Sequence, residues 1–326
     1  MNIMLTNFCN RNCPYCFAKD KLRSAALERC SFLSRGNLKI IINFLKKSKM
    51  KHLGIIGGEP TLHPQFPKII DELLRQGFNL KIFSNALFNA QVQQFLFKHR
   101  NKPWIMLANI NPPDTYRKHE WQRINTALRI LHDKVLLGFN ISRINFNADF
   151  LIPLIKKHHL PRSIRLGVAS PIVAEKNEYI AFNDHPRLSS RIVRFAEQCD
   201  KENISIRFDC GFALCNFSEQ QLGKLFYCNA KFSSSCGEVI DVGPDLSVWR
   251  CFPLSAVCNK KLTDFKNLQG ISLFYARKFM NFRKIGATQK CRGCRYLARR
   301  QCSGGCLAHI MNTFYIPGVS FPAVNN

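Results

Sequence analysis

Three cysteines near the start of the chain, Cys9, Cys13 and Cys16, are spaced C-x3-C-x2-C and follow directly on the apolar run Asn2 to Thr6. Read as a strand, that run delivers three thiolates from one loop to whatever sits beyond the strand end. Three is the informative number. A 4Fe-4S cube has four irons, so three cysteines leave one iron with open coordination, able to chelate a ligand carrying an amine and a carboxylate. A structural zinc site asks for four protein ligands, and the local loop holds no fourth cysteine or histidine.

A second apolar run, His52 to Ile56, ends in Gly57-Gly58-Glu59-Pro60. Glycines permit close backbone approach, and Glu59 with its neighbouring carbonyls can receive an ammonium group. Ser84 and Asn85 end the next run, while Asn109, Asn140 and Ser170 lie at or near the ends of later ones. Polar residues at strand ends also serve as plain turn formers. His119 and His132 fall on a helical segment and read as solvated.

Ten of the fifteen cysteines lie between Cys210 and Cys306. Cys291, Cys294, Cys302 and Cys306 form C-x2-C-x7-C-x3-C, with Cys228, Cys236, Cys251 and Cys258 upstream, enough donors for two or more metal centres. Paired C-x2-C units are also the signature of zinc ribbons, which stand as the alternative for this region. Cys30 and Cys199 fall in helical segments and read as ordinary buried thiols.

The N-terminal triplet, with the aromatic Tyr15 before its last cysteine, resembles the signature of the radical S-adenosylmethionine (SAM) superfamily, and Gly57-Gly58-Glu59-Pro60 is similar to that family's GGEP motif. The resemblance implies a partial (β/α) barrel whose cluster, on Cys9, Cys13 and Cys16, holds the methionyl amine and carboxylate of SAM at its open iron. Tyr15, Gly57, Gly58, Glu59, Pro60, Ser84 and Asn85 would line the SAM site, although Ala86 stands where the family often has glycine. The passage Cys236 to Cys251 resembles the SPASM extension of enzymes that modify peptides and proteins. By that likeness Cys228, Cys236, Cys251 and Cys306 hold a first auxiliary 4Fe-4S cluster, and Cys291, Cys294 and Cys302 hold three corners of a second. Leu246 replaces the usual glycine, the spacing to Cys302 is x7 rather than x5, and no cysteine follows Cys306. The last ligand of the second cluster would then be Cys210, Cys215 or Cys258, or its iron is open. Phe252 stands where the sulfatase-maturing branch carries aspartate. The resemblance further implies a peptide or protein substrate, a radical-forming cleavage of SAM, and an electron donor such as a flavodoxin or ferredoxin.

These groups need a frame. Apolar β-rich runs alternate with amphipathic segments as far as Phe208, the pattern of repeated βα units. Strands are expected at Asn2 to Thr6, His52 to Ile56, Asn79 to Phe83, Trp104 to Ala108, Val135 to Ile141, Ser163 to Gly167 and Ile204 to Phe208. Helices are expected at Leu38 to Lys46, Phe66 to Arg75 and Ser189 to Glu202. The expected architecture is α/β: a barrel domain over residues 1–208 and a small cysteine-rich α+β domain over 209–326, with a loosely tied tail from Ile316. With 46% hydrophobic residues, the chain can bury a substantial core. The +27 charge favours an acidic partner and keeps nucleic acid or a nucleotide open as substrate, as well as a zinc-bearing nucleic-acid-binding module without catalysis. No membrane span or signal peptide is read, so the expected compartment is the cytoplasm, where so many cysteines point to metal rather than disulfides.

Overall fold

The computed structural model describes residues 1–19, 32–173, 175–232, 234–237 and 239–314; Cys30 and the tail from residue 316 lie outside them. All seven expected runs form strands with bounds within two residues of the reading: β1 (Asn2–Met4), β2 (His52–Ile56), β3 (Asn79–Ser84), β4 (Trp104–Asn109), β5 (Val135–Ile141), β6 (Ser163–Val168) and β7 (Ser205–Phe208). They pair in parallel, in chain order, from β1 to β7. The crossovers carry α1 (Arg35–Lys47), α2 (Phe66–Arg75), α3 (Ala90–Lys98), α4 (Lys118–Ile130), α5 (Leu151–His158) and α6 (Ser189–Lys201). Side-chain caps start two of them: Ser34 Oγ accepts from Asn37 N at 3.1 Å, and Asn89 Oδ1 accepts from Val92 N at 2.9 Å. His119 lies on α4, whereas His132 falls in the 3-10 turn after it.

Strand periodicity separates two faces. In β3, buried Leu80, Ile82 and Ser84 alternate with partly exposed Asn79, Lys81 and Phe83. Leu80 and Ile82 join the main core with Ile69, Ile70 and Leu73 of α2. The opposite face is the inside of the partial barrel. There Met4, Ile56 and Phe83 form a second apolar cluster with Cys16, Ala18, Trp249 and Phe252.

Beyond residue 208 come α7 (Glu219–Tyr227), β8 (Ile240–Val242), β9 (Ser247–Arg250), β10 (Lys260–Lys261), α8 (Leu268–Ile285), α9 (Arg295–Ala298) and α10 (Leu307–Thr313). Strand β8 pairs in parallel with the free edge of β1, Asn2 opposite Asp241, and β9 and β10 follow antiparallel. Backbone pairing therefore runs across the division read at 208, in one sheet of order β10-β9-β8-β1 through β7. Among the described residues no helix is long and apolar enough to cross a membrane.

Candidate active site

The cysteine loop leaves β1 at the C-terminal end of the parallel strands, where βα loops build sites in barrels of this kind. Cys16 N donates to Cys13 O at 3.1 Å, closing the loop on itself. The Cys9 thiol is pushed up to about 12, chiefly by burial and also by the charges of Glu59, Cys16 and Cys13, so the three sulfurs feel one another. Donors already point at two of them. Arg11 N lies 3.4 Å and Asn85 Nδ2 4.0 Å from Cys9 Sγ, and Asn111 Nδ2 lies 3.6 Å from Cys13 Sγ.

The glycine-rich turn is stitched to this loop by its backbone. Gly58 N donates to Thr6 O at 2.8 Å and Glu59 N to Phe8 O at 2.7 Å. A Cβ on Gly57 would lie 2.8 Å from Thr6 O, so the approach is open only to glycine. Glu59 itself is buried, 1% exposed. Its Oε1 accepts from Thr61 N, Thr61 Oγ1 and Ser84 Oγ, and its Oε2 accepts from Asn85 N at 2.8 Å. Burial raises its pKa against these hydrogen bonds. The carboxylate thus fastens the end of β3 to the turn, and Pro60 opens the short 3-10 helix that follows. Asn85 is left facing the cluster loop, where its Nδ2 also donates to Asn10 Oδ1 at 2.7 Å. Sequence reasoning placed Glu59, Ser84 and Asn85 side by side in function; the geometry makes Glu59 the holder of the other two.

Three asparagines in the site went unread in the sequence. Asn111, just after β4, joins Cys13 to Tyr15, whose hydroxyl donates to Asn111 Oδ1. Asn10 donates to Leu87 O at 2.7 Å. Asn177 accepts from Ile172 N and donates to Ser170 O at 3.0 Å and Tyr15 O at 3.4 Å. An asparagine before Pro112-Pro113 was the only signal for the first, and a lone asparagine in a loop carries none for the others. Of the weaker strand-end candidates, Asn140 accepts from Arg165 at 2.6 Å, and Asn109 Oδ1 is buried without a partner among the described residues. Ser170 Oγ lies 3.5 Å from Cys306 Sγ, bridging the barrel to the C-terminal cysteines.

Those cysteines fall into two groups. Cys251 is raised by burial and by Cys236, Cys306 and Cys210, and Cys210 in turn feels Cys306 and Cys236. Cys215, Cys291, Cys294 and Cys302 line one cavity, with Phe182 and Tyr296. Cys228 is not in the first group, contrary to the sequence reading. It closes α7 as its C-cap, its thiol faces Asp200, Glu197 and Lys224, and its cysteine neighbour is the buried Cys199. The likeness to the SPASM extension placed Cys228 with Cys236, but the end of α7 sets its thiol beside Cys199 instead. Cys258 faces Lys278 and Lys260 instead.

On the inner face, Lys81 of β3 feels Arg165 of β6, Arg207 of β7 and Asp209 just beyond. Strands three apart stand about 14 Å apart in a flat sheet, so it is the curl of the barrel that lets these charges meet. Arg165 pairs with Asp209. The balance of the four groups is cationic.

The donor set suits an iron–sulfur cube at the N-terminal loop: three mutually repelling thiols, N–H groups aimed at two of them, and an apolar wall of Phe17, Trp249 and Phe252 alongside. Among the described residues no three His, Cys, Asp or Glu side chains close on the position of a single metal ion.

Residues 3–136 match the model of the radical SAM superfamily, a family that implies a 4Fe-4S cluster and SAM. An S-adenosylmethionine-dependent nucleotide dehydratase of Selenomonas ruminantium is 36% identical over 165 residues, 46% of this chain. The match spans 58% of that relative's length. Streptococcus suis SuiB, solved with S-adenosylmethionine, superposes with a TM-score of 0.65 at 14% identity, over 95% of this chain and 73% of SuiB. Native anSMEcpe with bound AdoMet and Kp18Cys peptide gives 0.67 at 16% identity, over 94% and 88%. At these identities the likeness is one of fold, and it extends through the cysteine-rich region.

Proposed function

We propose that this radical SAM enzyme modifies a peptide or protein, abstracting a hydrogen from a side chain or Cα and leaving a crosslink or an oxidised residue, with auxiliary clusters receiving an electron. The observation that carries the reading is the gathering of eight C-terminal cysteines in two groups, the first tied to the barrel mouth through Ser170 and Cys306. Likeness of fold to an enzyme holding a peptide supports it.

When bound, the reduced cluster and SAM supply an adenosyl radical, the hard part of the chemistry. The residues of this chain bind and orient. Cys9, Cys13 and Cys16 hold the cube, Asn85 and the Gly57–Gly58 backbone offer polar groups beside its open corner, and Glu59 keeps them in register. Phe252 and Trp249 keep water from the loop. Cys236, Cys251 and Cys306 belong to one auxiliary centre and Cys291, Cys294 and Cys302 to the other.

A second reading is modification of a nucleotide or RNA, favoured by the cationic inner face of Lys81, Arg165 and Arg207 and by the nucleotide-acting relative. The test starts with anoxic, fully iron-loaded protein, SAM and dithionite, assayed for 5′-deoxyadenosine. Its absence would refute the enzyme assignment. Deuterium then passes into 5′-deoxyadenosine from a labelled peptide pool under the first reading; transfer from labelled nucleoside triphosphates alone moves the assignment to the second.

A further inference from the structure

Cys210 and Cys215 sit five residues apart in the segment that follows β7. Full extension limits their Cα separation to about 18 Å. Asp209, at the head of the segment, pairs with Arg165 and anchors it to the barrel. The two cysteines diverge. Cys210 lies within electrostatic reach of Cys236, Cys251 and Cys306, whereas Cys215 lines the cavity of Cys291, Cys294 and Cys302.

Backbone conformation shapes both groups. Cys251 has φ of 43°, a left-handed conformation that an ordinary side chain adopts only when its surroundings impose it. In Cys302-Ser303-Gly304-Gly305-Cys306 both glycines have positive φ, 79° and 89°. That double turn sends Cys302 into the cavity and Cys306 to the other group. A Cβ on Gly305 would lie 2.8 Å from the Phe182 ring, so the turn admits no larger residue without displacing a cavity wall.

We propose that the 210–215 segment supplies one thiolate to each of two auxiliary iron–sulfur clusters, Cys210 to the first and Cys215 to the second, so that each has four cysteine ligands and neither keeps an open iron. The proposal rests on the reading of these groups as cluster sites. Each thiol gives its proton to solvent and forms one sulfur–iron bond, with no change of oxidation state. Substrate would then meet an open iron only at the N-terminal cube, and the two auxiliary centres would be coupled through the four residues between Cys210 and Cys215.

The full chain, purified anoxically, should carry about 12 irons with matching sulfide. Cys215→Ala should lose about four irons, or retain a cluster whose electron paramagnetic resonance (EPR) signal now responds to added cyanide. Cys215→Ser, which keeps an oxygen ligand, should hold iron with a shifted spectrum and guards against misfolding as the cause. Cys210→Ala should remove the other auxiliary signal, while Cys258→Ala and Cys228→Ala leave iron and spectrum unchanged. An unaltered spectrum and iron content in Cys215→Ala, or loss of a cluster in Cys258→Ala or Cys228→Ala, overturns the ligand assignment. About four irons with zinc in the wild-type chain would instead overturn the cluster reading, and the proposal with it.

Discussion

Asn111 uses both ends of its amide at once, donating from Nδ2 to Cys13 Sγ at 3.6 Å and accepting the Tyr15 hydroxyl at Oδ1. Hydrogen bonds to cluster sulfurs stabilise the reduced, more negative state and so raise the potential. Asn111→Ala should lower the midpoint potential of the N-terminal cluster by roughly 40 mV, the one-electron equivalent of a ~1 kcal/mol hydrogen bond. Redox titration followed by EPR reads this, and an unshifted potential would show that the contact does not act on the cluster.

Glu59 holds Ser84 and Asn85 through one buried carboxylate. Glu59→Gln keeps the shape but replaces one acceptor oxygen with a donor that faces protein N–H and O–H groups. SAM affinity should fall about tenfold or more, equivalent to ~1.4 kcal/mol. Equilibrium dialysis under anoxic conditions measures it, with iron content expected to stay unchanged.

Phe252 is 4% exposed and touches both Phe17 and Trp249. Phe252→Ala should cost about 3–5 kcal/mol, as large-to-small core changes do. Water and oxygen would then reach the loop bearing Cys16, and the visible absorbance of the holoprotein should bleach faster in air. Equal bleaching rates in the two proteins would show that the aromatic wall does not shield the cluster.

How far this was legible from sequence depends on the distance over which each feature is specified. The cysteine loop, the glycine turn and the seven core strands are local patterns, so periodicity and spacing located them within two residues. Asn111 and Asn177 act across nearly 100 and more than 160 residues of chain, and nothing in their neighbourhood marks them. Cys228 entered the reading through likeness to a cysteine pattern, which carries no information on where the end of α7 sets its thiol. Phe252 read only as a departure from a pattern, while its place in an apolar wall depends on β8 and β9 joining the barrel sheet.

Asp241 is buried opposite Asn2, whose Nδ2 donates to its Oδ1 at 2.7 Å, and burial raises its pKa to about 7. The folded chain holds this proton up to that pH, whereas the unfolded carboxyl releases it near 4. The stability tied to the proton is therefore full below about 4 and is lost as pH rises toward 7. Asp241→Asn should gain in melting temperature relative to wild type as pH climbs from 5 to 8. A constant difference across that range would show that Asp241 does not titrate with folding.

Because β1 lies between β2 and β8, its second edge is covered, among the described residues, by the strand of residues 240–242. A nascent chain on the ribosome keeps that edge bare until residues 240–242 have emerged. Chains stalled before residue 240, with that edge bare beside the cysteine loop, should take up iron there less well than chains that include β8.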